Sequence, residues 1–224
     1  MDTDLKEVKL RFFGMAIADI LRSMRGRSLM GAFTLTMCAI DALAYLRGAL
    51  PSKRNRENFE NWVTDWMVPL NSRCRPDVLY ALRCGLVHTY GYAEAMQRCG
   101  LVGFEYVHDR PAEHWDQPMR GYWRLNLDSL VAELCVAAFR FFDGVSRQAE
   151  QDPAFAEALK GRAQRLLTVQ VSQIVPLEPP GRQAILRSQP VFYRFGEMDS
   201  ALAPLDQVNE PSVAEIGAQI RSIY

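Results

Sequence analysis

The stretch from Leu29 to Leu46 is apolar on almost every side of a helix, and it constrains the fold more than any other part of the chain. A helix of that kind has no face to give to water, so neighbours must pack around it. A membrane would also satisfy it, but the stretch is short for a span and carries Asp41 between Ile40 and Ala42. The reading is therefore a buried helix of a bundle. A carboxylate buried without a donor is costly. Its expected partner is a cation from the helix before His88, Arg83 first, or from the first helix.

The flanking sequence supplies the neighbours. Phe13, Ile17, Ile20 or Leu21, and Met24 fall on one side of a helix over residues 5–24, which Gly26 breaks. Ser28 is placed as the N-cap of the apolar helix, and Pro51 ends it. A third helix runs from about Arg54 to Met67, and Pro69 stops it; its Trp62 and Trp66 belong to the core or to a dimer interface. Pro76 and Asp77 suit the first turn of a fourth helix, which runs toward His88.

The pattern then changes. Phe104–His108 and Tyr122–Leu127 read as the strands of a small hairpin with a long loop, inserted between helices at about 101–127. His108, His114 and Trp115 are expected at its surface. A fifth helix follows over about 128–149, with Leu130, Leu134, Ala137, Phe141 and Val145 on its apolar face. Asp152-Pro153 opens a sixth, through about Leu167, and 169–177 reads as β-like ahead of a Pro-marked linker. The whole predicts a mainly α protein: an up-and-down bundle over 1–168 with the inserted hairpin, and an extended C-terminal arm over 169–224 with a short helix near 212–223.

Composition narrows the function classes. Twenty-six basic residues balance 26 acidic ones, so the chain lacks the broad basic footprint of a duplex-binding protein. Any contact with nucleic acid must be local. Three basic clusters stand out, Arg22/Arg25/Arg27, Lys53/Arg54/Arg56 and Arg73/Arg75, and solvated surface is the ordinary use of such clusters. The five cysteines show no C-x-x-C spacing, and Cys38 and Cys135 read as small core residues. That is a reduced, cytoplasmic pattern without a zinc signature, and the acidic Met1–Asp4 start is unlike a signal peptide. No metal, cofactor or membrane is expected.

The chemistry concentrates in Arg83-Cys84-Gly85-Leu86-Val87-His88-Thr89-Tyr90. A guanidinium fork matches phosphate geometry, and an imidazole moves protons near neutral pH. On an unbroken helix His88 lies about 140° around from Arg83, whereas Tyr90 lies within about 20° of it. The pair can work together if the helix loosens near its end, which Gly85 eases, or if a second copy supplies the complementary group.

The segment from Leu79 to His88, with Arg83, His88 and the trailing Tyr90, resembles the R-x4-H motif of the HEPN superfamily (higher eukaryotes and prokaryotes nucleotide-binding domains). Asp41 and the Phe59/Trp62/Trp66 helix also fit that arrangement. The resemblance implies a helical bundle that forms a homodimer through the motif helices. In active members it implies a metal-independent endoribonuclease leaving a 2′,3′-cyclic phosphate. Carried over, Arg83 would hold the scissile phosphate and His88 would be the general acid/base. Tyr90 would be the aromatic position of the variant found in toxins paired with nucleotidyltransferase antitoxins, a modification or substrate-contact site. Cys84 stands where the family commonly carries a polar residue that helps orient the site. The resemblance also implies the alternative of an inactive module that binds a nucleotide, RNA or a protein.

Overall fold

The computed structural model describes residues 11–48, 55–86, 103–107, 111–172 and 212–222, with isolated positions 5, 8, 9, 97 and 100. These residues are mainly helical. A π-helical turn, Phe12–Ile17, leads into α1 (Ala18–Arg25); α2 (Leu29–Arg47), α3 (Asn55–Trp66) and α4 (Pro76–Cys84) follow. Three short strands come next, β1 (Gly103–Val107), β2 (Asp116–Met119) and β3 (Tyr122–Asn126), then α5 (Leu127–Gln151), α6 (Pro153–Ser172) and α7 (Val213–Ser222).

The π turn alters the face that the first helix buries. Phe12, Ile17, Ile20, Leu21 and Met24 are buried, and Phe13 is only half-buried. A π turn takes up one extra residue, so Phe12, five before Ile17, comes onto the inward face that regular spacing assigns to Phe13. Phe12 meets the edge of Phe142 at 5.9 Å between ring centroids. The helix ends at Arg25 with Gly26 as its C-cap, as expected. Arg27 takes a left-handed φ of 57°, and the amides of Ser28 and Arg27 close back onto the carbonyls of Ser23 and Met24.

Helix α2 runs through the core as expected, burying Phe33, Met37, Ile40, Leu43 and Leu46. It is the one described helix long and apolar enough to cross a membrane, and half of its apolar window is buried in the bundle. Ser28 precedes it without a side-chain cap bond. Its last helical residue is Arg47, ahead of Pro51: the Gly48 amide still bonds the Ala44 carbonyl, and the left-handed φ of Gly48, 54°, then turns the chain out of the helix. Trp62 and Trp66 of α3 point into the core, where both meet Phe141 of α5 edge-on. Cys135 is buried, whereas Cys38 is exposed on the outer side of α2, contrary to its expected core place.

The inserted sheet differs from the expected hairpin. β1 pairs with β3 in parallel, Gly103 opposite Tyr122 through Val107 opposite Asn126, and the hairpin is β2–β3, turned at Arg120 and Gly121. Gly121 supplies the positive φ, 78°, that the tight turn demands. Asn126 ends the sheet and caps α5, its Oδ1 accepting from the Ser129 amide at 2.8 Å. At the other end of α5, Asp152 caps α6 through the amides of Ala154 and Phe155. Helix α6 continues to Ser172, so 169–172 are helical and not β-like. Helix α7 packs on α5, with Ile216 and Ile220 inside the common core. Ser212 and Glu215 form its capping box: Ser212 Oγ donates to Glu215 Oε2 at 2.9 Å and accepts from the Glu215 amide at 3.2 Å.

Candidate functional site

Helix α4 begins where Pro76 fixes φ at its first turn, and it presents Arg83 in its last. Arg83 Nε donates to Asp41 Oδ2 of α2 at 2.7 Å. The two side chains keep 15% and 29% of their surface exposed, so the ion pair is half-buried and reaches solvent. This is the partner that the burial argument assigns to Asp41. Burial pulls the Arg83 pKa down, but the Asp41 hydrogen bond and charge, with a smaller part from Cys84, carry it above its ordinary value. Cys84 also sits beside the Tyr80 hydroxyl; burial and then that sulfur push the Tyr80 pKa up. Past Cys84 the helix widens to a π turn at Gly85 and Leu86. His88 and Tyr90 lie outside the described residues, as do Cys99, His108 and the linker ahead of α7.

Arg83 and Asp41 line a cleft of about 610 Å³ between α2, α3, α4 and α6. Tyr45, Asn58, Arg162 and Arg165 line it with them. Arg162 is seated from several sides. Its Nε donates to the Leu46 carbonyl at 2.8 Å, and its guanidinium lies 5.9 Å from the centre of the Phe155 ring. Its stem runs so close to Gly48 that a Cβ there would sit 2.3 Å from Arg162 Cδ. Burial lowers the Arg162 pKa, yet a guanidinium stays charged at any ordinary pH. Arg165, one turn on, is exposed.

Arg162 and Arg165 are not among the three basic clusters singled out from the sequence. Within those clusters, Arg22 pairs with Asp19, Arg56 with Glu60 and Arg75 with Asp77. The signal that would have found the cleft pair is the i, i+3 spacing of Arg162 and Arg165 behind Gly161, which puts two cations and a small residue on one side of α6.

A second polar cluster is sealed in the core. His114 and Trp115, expected at the surface, are 3% and 2% exposed. His114 Nδ1 accepts from the Asn126 amide at 3.1 Å, which leaves the ring proton on Nε2, 3.1 Å from Glu133 Oε1. Asn71 Nδ2 donates to the same oxygen at 2.8 Å. The cluster ties the turn after α3, the sheet and α5 together, apart from the cleft that Arg83 lines. Among the described residues no three His, Cys, Asp or Glu side chains gather as metal ligands would.

Comparisons with protein-family models, with curated proteins and with solved structures find no significant match for this chain.

Proposed function

We propose that this protein is a HEPN-like, metal-independent endoribonuclease of the cytoplasm that works as a homodimer, in a toxin–antitoxin or other defence setting. The observation that carries the reading is Arg83: it ends the motif helix, it is fixed by Asp41, and it lines an open cleft rich in arginine. A fixed guanidinium can offset the charge that builds on the phosphorane oxygens. In this mechanism His88 takes the proton of the RNA 2′-hydroxyl, whose oxygen attacks phosphorus. The 5′-oxygen leaves with a proton from an acid, His88 of the second copy in a composite site, and a 2′,3′-cyclic phosphate remains. Support for a homodimer comes from the outer side of α2, where Leu35, Cys38 and Ala42 join Met15 in an apolar groove of about 530 Å³ one turn from Asp41.

A second reading, an inactive module that binds RNA, a nucleotide or a protein such as a nucleotidyltransferase antitoxin, draws on Asp41 itself. A guanidinium already engaged by a carboxylate can serve packing alone. RNA cleavage by purified protein in EDTA separates the two. The nuclease reading expects cleavage by wild type and its loss, by about a hundredfold or more, in His88→Ala and Arg83→Ala. Equal cleavage by the variants, or none by wild type, sinks it.

A further inference from the structure

We propose that Arg162 and Arg165 of α6 form a second phosphate-binding position beside Arg83, so that the cleft grips a neighbouring phosphate of a single RNA strand as well as the one facing Arg83. The inference rests on the nuclease or RNA-binding reading only for the role of Arg83.

Charge is the first argument. In a chain whose basic and acidic residues are equal in number, the described residues lining this cleft include three guanidinium groups and one carboxylate, Asp41. That carboxylate is engaged by Arg83. Among the described residues no carboxylate lies within ion-pair distance of Arg162 or Arg165, in contrast to Arg22, Arg56 and Arg75. Evolution of a purely structural surface seldom gathers like charges in a concave place, since low-dielectric walls strengthen their repulsion. An anionic occupant removes that penalty.

Preorganisation is the second. Arg162 is held at Nε by the Leu46 carbonyl, along its stem by Gly48, and beside the Phe155 ring. Little rotamer freedom is left to lose when an anion arrives. The neighbouring Gly161 has open space where a Cβ would stand, so a ligand can approach the backbone there.

Shape and chemistry are the third. A volume of about 610 Å³ lies within the range of ligand clefts, ~300–1,000 Å³, and exceeds what one bare anion fills. Tyr45 is exposed at the rim, and Asn58 lines the wall. An aromatic face and amide edges among arginines suit single-stranded RNA, which is recognised through stacking and backbone contacts.

The test uses the full chain and a fluorescein-labelled 2′-O-methyl oligouridylate decamer, which lacks the nucleophile and cannot be cleaved. Anisotropy titrations at several salt concentrations compare wild type with Arg165→Gln, Arg162→Gln and Gly161→Glu. We expect each to weaken binding about tenfold at low salt. The slope of log Kd against log salt should fall by about 0.7 for each arginine removed. Arg165 is exposed and Gly161 borders open space, so those two variants decide the matter should loss of the Leu46 bond unfold Arg162→Gln. Wild-type-like binding by Arg165→Gln and Gly161→Glu, no binding by wild type, or preference for poly-glutamate overturns the inference. Cleavage of unmodified RNA, run in parallel, keeps the readings apart. Arginine-dependent binding without cleavage removes the nuclease reading and leaves this site. Cleavage with unchanged binding by the variants does the reverse.

Discussion

The Arg83–Asp41 pair allows a magnitude to be worked from geometry. Two unit charges whose centres lie about 4 Å apart attract by about 4 kcal/mol at an effective dielectric constant of 20. The side chains are 15% and 29% exposed, so each has surrendered most of its hydration, and that loss offsets more than half of the attraction. The net should fall between the ~0.2–1 kcal/mol of exposed pairs and the ~3–5 kcal/mol lost on breaking fully buried ones. We expect a coupling of about 1.5 kcal/mol. The measurement is a double-mutant cycle with Asp41→Asn, Arg83→Gln and the double variant, read by urea denaturation. For a chain of 224 residues the same coupling corresponds to about 3–6 °C in Tm. Asp41→Asn alone should cost more than the double variant relative to its parent, because it strands a half-buried guanidinium. A coupling below about 0.4 kcal/mol, within the error expected for independent sites, would refute the argument that Asp41 fixes Arg83.

Two further outcomes follow from the buried cluster and from the last helix. Glu133→Ala removes the acceptor of Asn71 Nδ2 and the carboxylate beside His114 Nε2; urea denaturation should show a loss of about 2–3 kcal/mol, against about 1 kcal/mol for Glu133→Gln, which keeps an acceptor. The Ser212 amide and hydroxyl hold the Glu215 pKa below its ordinary value. Its stabilising contribution is therefore complete above the unfolded-state pKa, about 4.3, and disappears as the pH falls through the lower folded value. The Tm gap between wild type and Glu215→Gln, positive at pH 6, should close on acidification below about pH 4; a gap that is flat with pH contradicts a capping role for the carboxylate.

Local chemistry was legible in the sequence and long-range pairing was not. Pro76, Asp152-Pro153 and Ser212 mark helix starts because capping and proline geometry act within one turn. The partner of Asp41 was legible too, since a carboxylate in an apolar helix leaves few donors to choose from. The phase of the first helix was lost to one π turn, which periodicity at 3.6 residues does not register. Parallel pairing of β1 with β3 was hidden because alternation reports a strand's faces and says nothing of its direction. His114 looked like loop surface because Glu133 and Asn71, the groups that make its burial tolerable, come from elements far along the chain. Arg162 is the extreme case: its seat on Leu46 and Gly48 joins residues 116 positions apart.

Asp41 shows how the legible and the hidden parts meet. From the sequence it is a cost that needs one cation. In the folded chain it lines a cleft with three, and it engages Arg83. A single carboxylate cannot neutralise three guanidinium groups, but it can hold one of them in a chosen direction while leaving the cleft cationic. Full neutralisation by further acids would hold the arginines more firmly and would compete with any anionic ligand for each of them. No acid at all would leave Arg83 to swing and the empty cleft to repel itself. Among the described residues, one acid on α2 for three arginines on α4 and α6 lies between those extremes. Under the proposed reading, this is the balance that a site for an incoming polyanion requires.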